Sequence, residues 1–403
     1  MNTLCARLAE ERRPDKIVRT VRFTGQASPM EEIWWEITGD VLPGPLRRHD
    51  LLAVALIFAA MRERCNLHIA GPVSWSLLAH LEEFQSAWTR WCPDHYRRVA
   101  VSADDVVMEG TTPSLRAVTL FSGGVDSTFT LWRHQSKRAG HASRDIVTAL
   151  MIHGFDIPLA AGAAFERAAS VARETLQQTG VPLTCIITNW RSAICGKQWE
   201  TEFAAGLVSC LRQFQGDAAA GLIGSGRDYS HLVMPWASSN PVTDPLLSSD
   251  DFEIVYDGGG FSRTEKVAAI AGWGAAADRL RVCWEGPATG RNCGVCEKCV
   301  RTKLNFMAAG KPLPEALSSE PTSRQILHIN ARNDLQISYL ADILAVARRN
   351  RIDAPWVSAV ARLIRKRRAL RSTRMSAQFM RRLIAARRAL KKLIRQAHSS
   401  PSC

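Results

Sequence analysis

The sequence predicts an α/β fold built on a doubly wound parallel sheet, and three observations carry that reading. From Leu115 onward, short apolar runs at 117–121, 146–152, 183–188 and 221–223 alternate with amphipathic helical stretches. The second is that these runs are continuous and do not alternate with polar residues, as in strands buried on both faces, which requires helices above and below a parallel sheet. Right-handed crossovers then wind the sheet in two directions. The third observation is where the polar loops fall: 122–127, 153–158, 189–196 and 224–250 follow the strands, and ligands in such sheets bind beyond the strands' carboxyl ends.

Residues 1–112 read as an N-terminal α/β domain, with a strand over 16–23 and helical patterns near 49–64 and 73–90. Its tryptophans, Trp34, Trp35, Trp75, Trp88 and Trp91, either fill a core or form a platform for stacked bases. Residues 113–312 form the domain of the apolar strands. Within it, 224–249 is rich in Gly, Ser and Pro and is read as a substrate loop or lid. Helices over 297–309 and 334–349 lead through a helical region, 313–403, into the C-terminal tail. There Leu363, Ile364 and Leu370, then Met380, Leu383, Ile384, Leu390, Leu393 and Ile394, recur at helical spacing among arginines, predicting two basic amphipathic helices with Ser376 capping the second.

The net charge of +14 is local. Of the 52 basic residues, 14 lie after Asp353, where there is no Asp or Glu, leaving 38 against the 38 acidic residues of the rest. The tail is therefore expected to meet an acidic partner, nucleic acid before membrane, or to pack on the body as a solvated helix pair. No apolar run approaches the roughly 20 residues that span a bilayer, and 51–61 has the length of a buried helix. Glu10, Glu11, Arg12 and Arg13 stand where a signal peptide needs an apolar core, so the expected location is the cytoplasm. An oligomer is left open.

Ser122-Gly123-Gly124-Val125-Asp126-Ser127 follows the first buried strand and opens a helix. Paired glycines let backbone amides approach an anion, and the helix N-terminus adds unpaired donors and positive dipole. Ser122 and Ser127 add hydroxyls. Asp126 beside phosphate is read as a ligand of Mg²⁺ or its water shell. The loop lacks the Gly-Lys-Ser/Thr ending that serves γ-phosphate chemistry. It resembles the signature of the PP-loop ATP pyrophosphatases, adenine nucleotide alpha hydrolase-like proteins that cleave ATP between α- and β-phosphates. That resemblance places adenine near Leu120 and Met151. His153 and Asp156, after the second strand, either reach substrate or metal or serve the structure.

Cys293, Cys296 and Cys299, with Cys283 upstream, supply four thiolates at short spacing. In a chain read as cytosolic such a cluster points to metal. A closed Cys₄ zinc site is the first reading, an iron–sulfur cluster its rival, four free thiols the remaining one.

The loop together with Asp228-Tyr229-Ser230, Arg263-Thr264-Glu265-Lys266 and Cys283 before CGVCEKC resembles 7-cyano-7-deazaguanine synthase over about residues 115–312. That family uses ATP and ammonia to convert a 7-deazaguanine carboxylate to its nitrile, a queuosine precursor, and carries a four-cysteine zinc site. After Asp228-Tyr-Ser this chain departs into His231-Leu-Val-Met-Pro-Trp236 and an insertion, where substrate would be read. The resemblance implies an ATP-dependent, carbon–nitrogen ligase-type adenylating enzyme that activates a carboxylate or amide of a small or macromolecular acid for attack by ammonia or an amine. Asp126, Asp228, Glu265 and Lys266 are candidate catalytic residues, and Arg191, Arg227, Arg263 and Lys266 candidate anchors for phosphate or an acidic substrate. Two other classes stay open. One is a tRNA-thiolating enzyme using Cys185, Cys195 or Cys210. The other is an ATP-sensing component of a defence or modification system.

Overall fold

The computed structural model describes residues 2–25, 32–108, 110, 114–231, 238–283, 289–331 and 333–370. Its strands are β1 (Thr3–Arg12), β2 (Lys16–Thr24), β3 (Glu32–Gly39), β4 (Asn66–Ser74), β5 (Val101–Val107), β6 (Arg116–Leu120), β7 (Asp145–His153), β8 (Leu183–Thr188), β9 (Ala220–Gly224) and β10 (Glu253–Asp257). Among the described residues they join in one ten-stranded sheet ordered β10-β9-β6-β7-β8-β3-β2-β1-β4-β5. From β6 the chain steps outward to β7 and β8, then returns to the other side for β9 and β10, all five parallel. This is the doubly wound arrangement expected from the apolar runs.

The sheet does not stop at residue 112. β3 pairs antiparallel with β8, with Trp35 opposite Thr188 and Gly39 opposite Thr184. The β1–β3 ribbon is antiparallel, and β4 and β5 then add parallel strands, so the whole sheet is mixed. Pairing with β3 covers the β8 edge that a separate domain would have left open.

One face of the sheet carries α1 (Asp50–Glu63), α2 (Trp75–Trp91) and α5 (Trp199–Leu211); their side chains share a core with Val118, Leu150 and Ile186. The other carries α4 (Gly162–Gln177) against Ala149, Met151, Leu183 and Cys185. The alternation along β7 and β8 is the period of two that strands impose. α1 is buried almost all round, as its apolar sequence requires. It meets the later half of the chain directly: Trp190 Nε1 donates to Ala55 O at 3.0 Å. Arg212 and Asp50 form a buried ion pair at 3.4 Å. The tryptophans mostly fill the core. Trp35 and Trp88 are fully buried, Trp34 and Trp91 half-buried, and only Trp75 is exposed.

The chain divides into two compact units, 1–320 and 321–403. The second unit contains α9 (Ser323–Leu327), α10 (Asp334–Arg349) and α11 (355–370). Asn333 caps α10, accepting from Gln336 N at 2.9 Å. Val360, Leu363 and Ile364 of α11 are buried, whereas Arg362, Arg365, Lys366 and Arg368 are exposed. The second basic helix, from Ser376, lies outside the described residues. No described helix is long and apolar enough to cross a membrane.

The segment read as a lid behaves differently in its second half. Ser238, Thr243, Asp244 and Leu247 are buried. Asp244 accepts from Ser239 Oγ at 2.6 Å and Asn240 N at 3.0 Å. Arg212 holds Leu247 O at 2.6 Å, and the His80 ring meets Ser248 O at 2.9 Å. These contacts make 238–251 a packed part of the α1–α2–α5 layer, and among the described residues of the segment 224–231 is the part left near the strand ends.

Candidate nucleotide site and metal centre

The reversal of winding lies between β6 and β9, and the Ser122–Ser127 loop opens there. In open α/β sheets this switch point is the ligand crevice. β6 ends at Leu120, and α3 (Val125–Gln135) begins after the glycines. Gly123 has φ +73°, a left-handed conformation that a side chain would strain. Gly224, at the end of β9, approaches so closely that a Cβ there would lie 2.8 Å from Asp126 O. The loop is tied internally by Ser122 Oγ to Ser127 Oγ at 3.3 Å, Gly124 N to Ser122 Oγ at 3.3 Å, and Ser127 Oγ to Gly124 O at 3.2 Å.

Asp126, in the first turn of α3, is ion-paired to Arg263 and lies 3.5 Å from Lys266 Nζ. Both basic residues come from α6 (Arg263–Ile270). Lys266 is buried and also donates to Ser225 O and, at 2.7 Å, to Ser225 Oγ. Burial alone would raise Asp126, but Arg263 and Lys266 outweigh it and hold the carboxyl below its ordinary range. Burial likewise lowers Lys266, against the pull of Asp126. Lys298 is lowered by burial while Asp156 opposes the shift, and Arg281 is lowered by burial. Arg263, Lys266, Arg281 and Lys298 thus gather around the two carboxylates Asp126 and Asp156, so the loop lies in an electropositive setting.

The cysteines converge as their spacing predicts. The sulfurs of Cys283, Cys293, Cys296 and Cys299 all lie within 4.8 Å of one another. Cys283 and Cys296 are 3.8 Å apart, matching the roughly 3.8 Å edge of a tetrahedron with Zn–S near 2.3 Å. Gly294 takes φ +75° in the turn, and Cys296 N donates to Cys293 Sγ at 3.3 Å. Hydrogen bonds from Cys299 and its neighbours push Cys296 down to about 5, while Cys296 and burial push Cys299 up. The cluster fits a metal such as zinc in a closed, all-sulfur shell.

Leu120 is half-buried at the end of β6; Met151 is buried beneath α4. His153 is buried, stacked on Phe165 at 4.5 Å with its ring against Pro158 O, which makes it structural. Asp156 is exposed. Glu265 is spent on the α6 capping box: its carboxylate accepts from Ser262 N at 2.8 Å and Ser262 Oγ at 2.9 Å. Asp228 pairs with His231 at 2.9 Å; burial would raise it, but Ser230 and His231 bring it below its ordinary range. Arg191 stacks on Trp199 and donates to Phe155 O, and Arg227 O accepts from Tyr256. Cys185, Cys195 and Cys210 are buried, and burial raises their thiols, to about 11 and about 12 for the first two. Sequence reasoning missed Ser225, Lys298 and Arg281: lone polar or basic residues carry no periodic or spacing signal. No family model, curated protein or solved structure matches this chain.

Proposed function

We propose that this chain is a PP-loop ATP pyrophosphatase that adenylates an acidic acceptor and passes it to a nitrogen nucleophile. The observation that supports this reading most is the glycine loop at the switch point, with Arg263 and Lys266 converging on its only acid, Asp126. In this reading the loop amides and the hydroxyls of Ser122 and Ser127 hold the β- and γ-phosphates of ATP. An acceptor carboxylate oxygen attacks the α-phosphorus, the bond to the bridging oxygen breaks, and pyrophosphate leaves. Ammonia or an amine then attacks the acyl carbon, AMP departs, and the nitrogen loses a proton. Arg263 and Lys266 stabilise charge building on pyrophosphate, in a site where water contributes little screening. Asp126 keeps Lys266 charged and in place. Its two oxygens offer about four acceptor positions; two are engaged by Arg263 and Lys266, so the residue still fits Mg²⁺ or its water shell. Bound there, Mg²⁺ would add charge neutralisation at the phosphates.

Zinc, in this reading, is structural. The buried, high-pKa thiols of Cys185, Cys195 and Cys210 are poor sulfur carriers, which weighs against tRNA thiolation. The exposed arginines of α11 suit an acceptor or partner rich in phosphate.

The test is product analysis with labelled ATP, ammonium and candidate carboxylates, including 7-carboxy-7-deazaguanine, with and without RNA or protein. AMP and pyrophosphate are expected, with Ser122→Ala lowering their formation by about 10²-fold or more. ADP and phosphate would refute the reading, and AMP formed only with tRNA and a sulfur donor would favour thiolation.

A further inference from the structure

We propose that Arg281 is a phosphate-binding residue, its guanidinium contacting the pyrophosphate half of the nucleotide held by the Ser122–Ser127 loop. This rests on the reading of that loop as an ATP site. Three features of the chain lead to it.

The first is placement. Arg281 N donates to Gly123 O at 2.8 Å, so the main chain at 281 is strapped to the loop itself. A Cβ built on Gly123 would lie 3.6 Å from Arg281 Cβ, and one on Gly124 would lie 3.6 Å from Arg281 O. The arginine side chain therefore leaves the backbone beside the two glycines of the loop, Gly123 and Gly124.

The second is an unspent donor set. A guanidinium carries five N–H donors in a fixed fork. Among the described residues Arg281 uses one, Nη1 to Cys283 O, at a long 3.5 Å. Its Nε is buried and meets no acceptor. Two fully buried arginines have more of their donors matched. Arg19 contacts Glu10, Gln213 and Gly44, and Arg212 contacts Asp50, Gln215, Ser249 and Leu247. Buried charges are normally paired, since an isolated one gives up its hydration without return. Arg281, half-buried, makes no direct ion pair among the described residues and feels Asp156 only at longer range, so most of its fork is left for an anionic ligand.

The third is the type of anion. Arg263 and Lys266 are already committed to Asp126 on the α3 side of the loop. Arg281 approaches from the glycine side. A tetrahedral phosphate seated on the loop amides would meet both, and the planar fork of arginine suits two phosphate oxygens at once.

The experiment is calorimetric titration of the intact chain and of Arg281→Met with pyrophosphate, ATP and AMP, alongside zinc content and melting temperature. Pyrophosphate and ATP are expected to bind Arg281→Met about 10- to 100-fold more weakly, as for loss of a charged hydrogen bond. AMP affinity should stay within about 2-fold, with metal content and melting temperature unchanged. Arg281→Gln, which keeps a donor for Cys283 O, decides the matter if the methionine variant is unstable. Unchanged pyrophosphate affinity in a variant whose parent binds pyrophosphate would overturn the proposal and leave the ATP site standing. An equal loss for AMP and pyrophosphate would also overturn it, since that reports a collapsed loop. If the unaltered chain binds neither ATP nor pyrophosphate, the reading of the loop fails and the proposal with it.

Discussion

Replacing Asp126 by asparagine keeps the shape of the first turn of α3 and removes the charge that joins it to α6. The size of the effect follows from burial. Deleting one partner of a fully buried pair costs about 3–5 kcal/mol, and an exposed pair is worth about 0–1. The side chains of Asp126, Arg263 and Lys266 are 20%, 14% and 2% exposed, which places the loss near the lower edge of the buried range, about 2–3 kcal/mol. For a unit of this size each kcal/mol moves Tm by about 2 °C, so a fall of roughly 4–6 °C is expected. The carboxyl is held below its ordinary value of 3.8, so its stabilisation is present above that pH and is lost as pH falls through the lowered pKa. The gap between parent and variant should therefore close in acid.

The same substitution acts on chemistry. Lys266 is lowered by burial and raised by Asp126, so without the carboxylate it releases its proton at lower pH. Pyrophosphate release should fall by about 10²–10³-fold at neutral pH, and its alkaline limb should move toward neutrality. The assays are thermal melts across pH and a pyrophosphate-coupled rate profile, with Lys266→Met completing a double-mutant cycle. Equal melting temperatures, an unmoved alkaline limb and additive single effects would show that Asp126 does not organise these cations.

Two further perturbations probe separate parts of the chain. Cys296→Ser should yield insoluble or metal-depleted protein, because one of four ligands to a folding-coupled metal is gone; metal analysis finding iron and sulfide, or active protein without metal, would contradict the zinc assignment. Ending the chain after Leu370 keeps the buried Val360, Leu363 and Ile364 and removes nine of the 14 tail charges, so nucleic-acid affinity at low salt should drop and its salt dependence flatten; unchanged binding would leave the tail as a solvated helix.

What the sequence made legible was local. β6 to β9 are short apolar runs because both faces are covered, and the glycine loop and the cysteines declare themselves through spacing alone. β1 is different: buried Leu4 and Ala6 give way to the charged stretch from Glu10 to Arg12, so it carries little strand signal. The pairing of β3 with β8 joins residues some 150 positions apart, which no local period records. It is this pairing that makes the N-terminal region a continuation of the sheet. Glu265 stood beside Lys266 in a motif-like run, yet the Ser262 cap claims it; only the fold distinguishes a carboxylate that ends a helix from one that faces a ligand. Ser225 could not be read as the acceptor of Lys266 before β9 and α6 were brought together.

On the proposed reading, the arrangement also accounts for a four-cysteine cluster lying near the Ser122–Ser127 loop without taking part in its chemistry. Cys283 and Cys299 belong to the same core as Val125 and Phe129 of α3 and Val267 of α6, so the knuckle packs on the helices that bear Asp126 and Lys266. Asn292 clamps the strap before it, accepting from Val282 N and Cys283 N at 2.9 and 3.2 Å and donating to Leu280 O at 2.7 Å. The next link is Arg281 N on Gly123 O. Phosphate recognition by amides tolerates displacements of only about 0.5 Å, and a loop of paired glycines has little stiffness of its own. A metal held by the four thiolates would supply that stiffness from outside. Its bond to Cys283 would fix the strap, and the strap would fix Gly123 O and the backbone of Arg281. On the proposed reading, a metal that never touches substrate would in this way set nucleotide affinity.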